Sequence, residues 1–140
     1  MIEQGGREVT VTTRKGVVLA AGGFDHNMEL RQRYQSESLK RDLSLGAEGN
    51  TGDTLAMAEE VGAELANLDQ AWWFPAVHPS TPDGAPAILL AERSLPGSLI
   101  VDKSGRRFLN ESTDYMSFGQ KVLECEKAGD PVGDIWLMFD

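Results

Sequence analysis

The order of apolar and polar residues near the start of the chain predicts a pair of strands. Val9 and Val11 alternate with polar neighbours, and an unbroken apolar run follows at residues 17–21. Alternation is typical of a half-exposed strand, whereas an unbroken run is typical of a strand buried on both faces. We therefore expect a hairpin-like pair whose second strand is buried and ends at Gly22 and Gly23.

Two further stretches have the start signals and the apolar spacing of helices. Asn27 has a typical N-cap side chain, which predicts a short helix reaching about Tyr34. Residues 115–128 predict a longer helix, because apolar side chains recur there at helical spacing. The members of that apolar face are Phe118, Val122 and Cys125.

Between these two stretches lies a third predicted helix, at residues 53–61. Thr51 or Asp53 can cap its start, and Gly62 can end it. Its expected apolar stripe consists of Leu55, Ala58 and Val61.

The middle of the chain is rich in proline and aromatic residues. Five of the six prolines fall within residues 68–97, and proline at this density argues against long regular elements. A short strand is expected at residues 72–74, where the rings of Trp72 and Trp73 would point to opposite faces. One of these rings can then lie in the core while the other lines a site.

The last third of the chain adds further strands. Residues 98–101 and 107–109 flank a turn at residues 103–105 and predict a hairpin. Residues 135–139 are apolar almost throughout and predict a buried strand.

Composition excludes several classes of function. The chain has 140 residues, about one domain, and a net charge of -9 from 22 acidic and 13 basic residues. Such a charge repels a phosphate backbone, so we expect no nucleic-acid partner. Cys125 is the one cysteine, which excludes an internal disulfide and gives no zinc ligand set, so no metal is expected. A single cysteine fits a reducing, cytoplasmic setting, which we therefore expect. The longest apolar stretch is too short to span a bilayer.

Several residues could carry chemistry, each with an ordinary structural alternative. The glycine-rich turn at residues 49–54 opens a helix, where main-chain N–H groups can meet a cofactor or simply form a turn. His78 can be a ligand-binding or a surface histidine. Tyr115 can accept a proton or can be an aromatic residue at a helix start, because a free phenol is a weak base at neutral pH.

Five segments in order give this chain a family resemblance: GVVLAAGGFDHN, GNTGDTLAMAEEVGAEL, HPS, GSLIVDKSGRRFLNES and WLMFD. Together they resemble the fumarate reductase/succinate dehydrogenase flavoprotein superfamily, and most of all its 3-ketosteroid dehydrogenase-like members. The resemblance covers nearly the whole chain from about Val17 onward.

The resemblance implies an α+β fold built from the cap, or substrate, domain of a two-domain flavoprotein. Residues 1–50 would be a remnant of the FAD-binding domain and its connection, and residues 51–140 a cap domain that is incomplete at its C-terminus. The residues implied to contact FAD are Ala21, Gly22, Gly23, Thr51, Gly52 and Asp53. The family loop reads TGDG, whereas this chain has TGDT. Since no G-x-G-x-x-G is present, we expect neither tight FAD binding nor turnover by this chain alone.

The resemblance also implies a reaction and a set of substrate contacts. The family's N-E-x-x-x-Y arrangement matches Asn110, Glu111 and Tyr115, and there the tyrosine is the base that removes a proton next to a ketone. A hydride then leaves the adjacent carbon for the flavin. The residues implied to bind an apolar, steroid-like substrate are Trp73, Phe74, His78, Asn110 and Glu111. Asp114 stands where some relatives have proline.

Two other functions remain open at this point. A dicarboxylate oxidoreductase of the fumarate reductase or succinate dehydrogenase type needs arginines around its substrate. Between residues 69 and 98 this chain has a single one, Arg93. The other alternative is a non-catalytic binding domain that self-associates through exposed apolar surface.

Overall fold

The computed structural model describes residues 2–78, 81 and 84–140, and in that part of the chain short strands pair into three two-stranded antiparallel sheets. The strands are β1 (Ile2–Gln4), β2 (Arg7–Val9), β3 (Ala76–Val77), β4 (Ala87–Ile88), β5 (Ser98–Val101) and β6 (Trp136–Phe139). The α-helices are α1 (Met28–Tyr34), α2 (Asp53–Glu60) and α3 (Tyr115–Lys127), and a 3-10 turn covers Glu92–Ser94. The structure is therefore a small mixture of helices and strands.

The three predicted helices are confirmed with bounds that differ by a residue at most. Asn27 caps α1, because its side-chain oxygen accepts a hydrogen bond from the N–H of Leu30 at 3.1 Å. The predicted cap of α2 is wrong: the N-cap is Gly52, with φ 92°, and it makes no side-chain capping bond. The hydroxyl of Thr51 donates instead to the carboxylate of Asp53, at 2.9 Å.

The prediction that Gly62 terminates α2 is confirmed, since Gly62 directly follows the C-cap residue Val61. Gly62 has φ 72°, its N–H donates to the carbonyl of Glu59, and the N–H of Ala63 donates to the carbonyl of Ala58, both at 3.0 Å. These two bonds close the helix in the Schellman arrangement. The expected apolar stripe is not buried, however: α2 has no buried residue, and Val61 is 81% exposed.

The predicted strand at residues 17–21 is wrong. This segment is not a strand, and its side chains are exposed, with Val18 at 90%. An apolar run becomes a buried strand only where neighbouring strands bond to both of its edges. Among the described residues the N-terminal hairpin joins β1 to β2 instead, with Ile2 opposite Val9.

The predicted strand at residues 72–74 is also wrong. The strand of this region is β3, two residues further on, which pairs with β4. Pro75 follows directly and has no N–H to donate to a sheet ladder, whereas its carbonyl accepts from Leu89 at 2.9 Å. The prediction about the two tryptophan rings is confirmed in part, since Trp72 is 73% exposed and Trp73 is half-buried.

Strand β5 pairs with β6 rather than with residues 107–109. Its register runs from Ser98 opposite Phe139 to Val101 opposite Trp136, and the predicted hairpin is reduced to one bridge between Val101 and Arg107. The prediction that β6 is buried is wrong, because Phe139 is 77% exposed. In the described chain only one face of the β5–β6 sheet is turned toward the core, and Ile100 lies on that face.

The buried apolar residues of the described chain are Ile100, Phe118 and Val132. They come from β5, from α3 and from the segment before β6, so the core lies next to the start of α3. In the part of the chain that the structure describes, no helix is long and apolar enough to cross a membrane.

Candidate functional site

Three aromatic rings form a continuous surface at the start of α3. Phe74 stacks on Tyr115 with ring centroids 4.5 Å apart and planes 21° apart, and Trp72 lies 5.5 Å from Phe74. Trp72 and Phe74 share a side because successive residues in an extended segment point in opposite directions. We call Trp72, Phe74 and Tyr115 the aromatic surface. Its two ends differ in exposure: Trp72 is open to solvent and Tyr115 is half-buried.

Trp73 points the other way and packs on α3. A Cβ atom at Gly119 would lie 2.3 Å from the Cβ of Trp73, so a glycine is required for this contact. The indole N–H of Trp73 is buried and has no hydrogen-bond partner among the described residues. Gly119 thus brings residues 72–74 close enough to α3 for Phe74 to reach Tyr115, a role that the sequence did not indicate.

Tyr115 is the first residue of α3, and Asp114 is its N-cap. The Asp114 carboxylate accepts from the N–H of Ser117 at 2.9 Å, and hydrogen bonds from Ser117 lower the pKa of Asp114. Side chains in a helix lean toward its N-terminus, where negative charge is stabilised. Within the described chain, no hydrogen bond from the protein engages the Tyr115 hydroxyl, which leaves its oxygen for another partner.

The loop before Tyr115 is shaped by Asn110. Its side-chain oxygen accepts from the N–H of Ser112, and its carbonyl accepts from the N–H of Thr113, both at 3.0 Å. Such bonds are typical of an asparagine that starts a turn. The side chain of Asn110 is otherwise exposed.

Glu111 ties the same loop to β5. Its carboxylate accepts from Arg107 Nη2 at 2.6 Å and from the N–H of Ile100 at 2.9 Å. The hydrogen bond from Arg107 is the main cause that lowers the pKa of Glu111 to about 2. Since Glu111 is buried and both of its oxygens are engaged by the protein, its carboxylate is placed to hold the loop.

His78 lies apart in a different setting. It is exposed, and its Nε2 accepts a hydrogen bond from Nη1 of Arg41. Arg41 falls in a polar, aperiodic segment, and no sequence pattern indicated that it lies beside His78.

The two segments predicted to contact a cofactor lie together. The N–H of Gly52 donates to the carbonyl of Gly23, and the hydroxyl of Thr54 donates to the carbonyl of Gly22, both at 3.0 Å. The side chain of Asn27 donates to the carbonyl of Thr51 at 2.9 Å. We call residues 21–23 and 50–54 the paired glycine loops.

The glycines of these loops are required by their surroundings. Gly22 and Gly52 have φ of 94° and 92°, a region that disfavours other residues. A Cβ at Gly22 would lie 2.1 Å from Oδ1 of Asn50, and one at Gly52 would lie 2.5 Å from Cδ1 of Leu30. The outer side of Ala21, Gly22 and Gly23 is exposed, and it presents main chain with little side-chain cover.

This arrangement fits one edge of a flavin. Exposed main-chain groups at residues 21–23 can bond to the polar atoms of a flat ring, and the hydroxyl of Thr51 lies on the neighbouring loop, also exposed. Asp53 is exposed at the start of α2. The described residues therefore fit the near approach of FAD at this edge.

A family model described as an FAD binding domain matches residues 1–140. The chain belongs to this FAD-binding family. The resemblance to flavoproteins that the sequence showed is thereby confirmed. Individual members of the family show which of its enzymes this chain is similar to.

The chain is 42% identical, over 134 residues, to the 3-oxosteroid 1-dehydrogenase of Mycobacterium tuberculosis, and 40% identical, over 135 residues, to that of Mycolicibacterium smegmatis. Each alignment covers 93% of this chain and 23% of the relative. The structure is similar to the crystal structure of 3-ketosteroid delta1-dehydrogenase from Sterolibacterium denitrificans in complex with 1,4-androstadiene-3,17-dione. The TM-score is 0.83 with 38% identity, and 97% of this chain and 24% of that chain are covered. The chain therefore spans less than a quarter of these relatives' length.

Proposed function

We propose that this chain forms part of the active site of an FAD-dependent dehydrogenase that introduces a C=C bond beside the ketone of a steroid-like substrate. The observation that carries this proposal is the stacking of Tyr115 on Phe74, with the phenol at the N-terminus of α3. Both relatives named above are 3-oxosteroid 1-dehydrogenases, and the similar crystal structure holds a steroid dienone.

The aromatic surface suits a flat apolar substrate. Rings of the substrate can lie on Phe74 and Trp72, where stacking and the burial of exposed apolar area both favour binding. Trp73 supports this surface from behind through its contact with α3. His78, which lies apart from the aromatic surface, would contact another part of the substrate. Asn110 and Glu111 would hold the loop that presents Tyr115.

In the proposed reaction Tyr115 accepts a proton. A C–H bond next to a ketone is acidified because the carbonyl takes up the resulting negative charge. The oxygen of Tyr115, acting as the phenolate and within hydrogen-bond reach, takes that proton and becomes the neutral phenol. The start of α3 stabilises negative charge that develops beside it. The stacked Phe74 fixes the plane of the tyrosine ring and keeps water from one of its faces.

FAD, when bound, supplies a two-electron acceptor for the hydride of the neighbouring carbon. Ala21, Gly22, Gly23 and Thr51 to Asp53 would contact its edge. We assign residues 1–50 to the FAD-binding domain and residues 51–140 to the cap. Because the chain spans 23% of its relatives, we assign turnover to a longer protein that carries it, and a cytoplasmic setting accords with the single cysteine.

The decisive experiment is Tyr115→Phe in that longer protein, loaded with FAD. Loss of a general base typically costs about 10²–10⁴-fold in rate, so kcat for a 3-oxosteroid should fall by that factor. Exchange of the substrate's α-hydrogen with deuterated water should fall in parallel. Tyr34→Phe is the matched control, because Tyr34 is the other tyrosine and donates to Glu59 at 3.2 Å. Unchanged turnover in Tyr115→Phe with full FAD content would refute the proposal.

The contact between Arg41 and His78 favours a second candidate, a dicarboxylate oxidoreductase. An arginine beside a histidine is a typical carboxylate-binding arrangement, because the guanidinium N–H groups that do not face the ring can donate to carboxylate oxygens. Reoxidation of the reduced flavoprotein by fumarate, lost in Arg41→Met, would support this candidate. Oxidation of a 3-oxosteroid with no response to fumarate would remove it.

A third proposal concerns the chain by itself. Exposed apolar side chains at Val17, Val18, Trp136 and Phe139 favour self-association when nothing covers them. Sedimentation of the purified chain should show oligomers, and a strictly monomeric chain would contradict this.

A further inference from the structure

Arg93 is a buried arginine that the proposed reaction does not use. It lies in the 3-10 turn Glu92–Ser94 and is 3% exposed. Arginine is seldom fully buried unless it is paired. Among the described ion pairs, none joins Arg93 to a carboxylate, although Glu111 lies close by and binds Arg107 instead. Its place in the core therefore calls for an explanation other than an ion pair.

The guanidinium of Arg93 holds the main chain of the loop before α3. Nη1 donates to the carbonyl of Glu111, and Nη2 donates to the carbonyl of Thr113 at 2.5 Å. These carbonyls belong to residues four and two positions before Tyr115. A planar fork with two fixed donors can bridge two such acceptors, which the single ammonium of a lysine cannot do with the same geometry.

The same guanidinium also contacts the first turns of α3. Its Cζ lies 5.6 Å from the ring centroid of Phe118, within the range of a cation–π contact. Phe118 is buried and stands three residues after Tyr115, which places it on the neighbouring turn. Arg93 thus touches the chain on both sides of Tyr115.

Burial of this charge is costly, and its Nε is buried without a hydrogen-bond partner in the described chain. Buried charged groups can often be replaced by apolar side chains with little loss of stability. The burial of Arg93 is therefore weak evidence that it stabilises the fold. The bonds of Arg93 go to the one loop that presents the proposed base, so the geometry points to positioning.

We propose that Arg93 is a positioning residue for Tyr115, an inference that rests on the proposed function. Its guanidinium fixes residues 111–113 and the start of α3, and thereby sets where the phenol stands relative to Phe74 and the substrate. Arg93 itself does not touch the substrate. A displacement of about 1 Å at a catalytic group can cost about 100-fold in rate, which sets the expected size of the effect.

The test combines Arg93→Met with Tyr115→Phe in the FAD-loaded protein. Arg93→Met should lower kcat by about 100-fold with KM changed by less than about 3-fold, and Arg93→Lys should recover little of it. In the Tyr115→Phe background, Arg93→Met should change kcat by less than about 3-fold, because it acts through that phenol. Losses that multiply in the double variant, or an unchanged kcat in Arg93→Met, would overturn the inference.

Hydrogen exchange supplies a readout that does not depend on turnover. Arg93→Met should speed exchange at the amides of Thr113 and Ser117, which bond within the loop and the cap. Arg106→Met is the matched control, since Arg106 is half-exposed and pairs with Asp102 and Asp130, and it should leave those amides and kcat unchanged. Unchanged exchange in Arg93→Met overturns the inference, whereas full turnover in Tyr115→Phe overturns the proposed function.

Discussion

The paired glycine loops and the loop before α3 are held in place by different forces. Main-chain bonds, such as that from Gly52 to Gly23, join the glycine loops, and missing Cβ atoms let them approach. Charged side chains hold the loop before α3, with Arg93 on its carbonyls and Arg107 on Glu111. The first arrangement depends on shape and the second on charge. Steric substitutions should therefore disturb the glycine loops, whereas a change of pH should weaken the loop before α3.

The largest effect is expected at Gly52. Alanine there combines a left-handed backbone with a clash against Leu30 and Phe24, so Gly52→Ala should lower the free energy of unfolding by about 2–5 kcal/mol. Gly62→Ala shares the positive φ but meets nothing within 4 Å, and it should cost about 1–2 kcal/mol. Urea unfolding of both variants gives the two losses, and their difference is the contribution of the steric clash at Gly52. Equal losses would show that the loops are not in close contact.

A smaller effect, and one that depends on pH, is expected at Glu111. Glu111→Gln should cost about 1–3 kcal/mol at pH 7, because the ion pair with Arg107 is lost while Arg107 stays half-exposed. The folded-state pKa of about 2 lies below the ordinary 4.5, so the carboxylate's contribution is complete above pH 4.5 and is lost as pH falls toward 2.

The difference in unfolding free energy between wild type and Glu111→Gln, measured from pH 7 to pH 2.5, should therefore shrink. Gly52→Ala serves as the control here, since its steric loss should be the same at every pH. A Glu111→Gln loss that stays constant over this range would contradict the role of charge in the loop.

The smallest expected effect lies beside the glycine loops, at His26. Its ring donates to Asp42 at 2.7 Å and to the carbonyl of Gly46 at 3.1 Å, and the bond to Asp42 is the main cause that raises the pKa of His26 above 6.5. Asp25 adds to this rise, and Nη1 of Arg31 lies 4.0 Å from the other carboxylate oxygen of Asp42. The stability that this contact contributes is complete below pH 6.5 and is lost as pH rises through the folded-state pKa.

Asp42→Asn should bring the His26 pKa back toward 6.5 in an NMR titration of the imidazole. Glu59→Gln, which alters a carboxylate bonded to Tyr34 instead, is the control and should leave that titration unchanged. A His26 pKa at 6.5 in the wild type would show that this ring contributes nothing to the pH dependence.

Local signals were enough to predict the helices. Asn27 and Gly62 act within one turn of the chain, and the spacing of Phe118 and its neighbours is a property of α3 alone. The strands were harder, because residues 17–21 and 72–74 resemble strands in composition but no strand of the described chain pairs with them. Burial of a strand depends on its neighbours in space.

The candidate site was also predicted only in part. The resemblance named Tyr115, Phe74 and the glycine segments, and the structure places the members of each group together. Sequence reasoning did not assign a role to Arg93, Gly119 or Arg41, because each acts on a residue distant along the chain. The contact of Gly119 with Trp73 has no local pattern, since a glycine inside a helix usually signals only a weaker helix.

The exposure of Trp72 offers an optical assay. An indole in water emits at longer wavelength than one under an apolar cover, and Trp72 stands at the open end of the ring stack. A polycyclic ketone that binds on Phe74 would shield the indole of Trp72 from water and shift its emission to shorter wavelength. Occupancy could then be followed without a label in a variant whose Trp136 is replaced, before any electron moves.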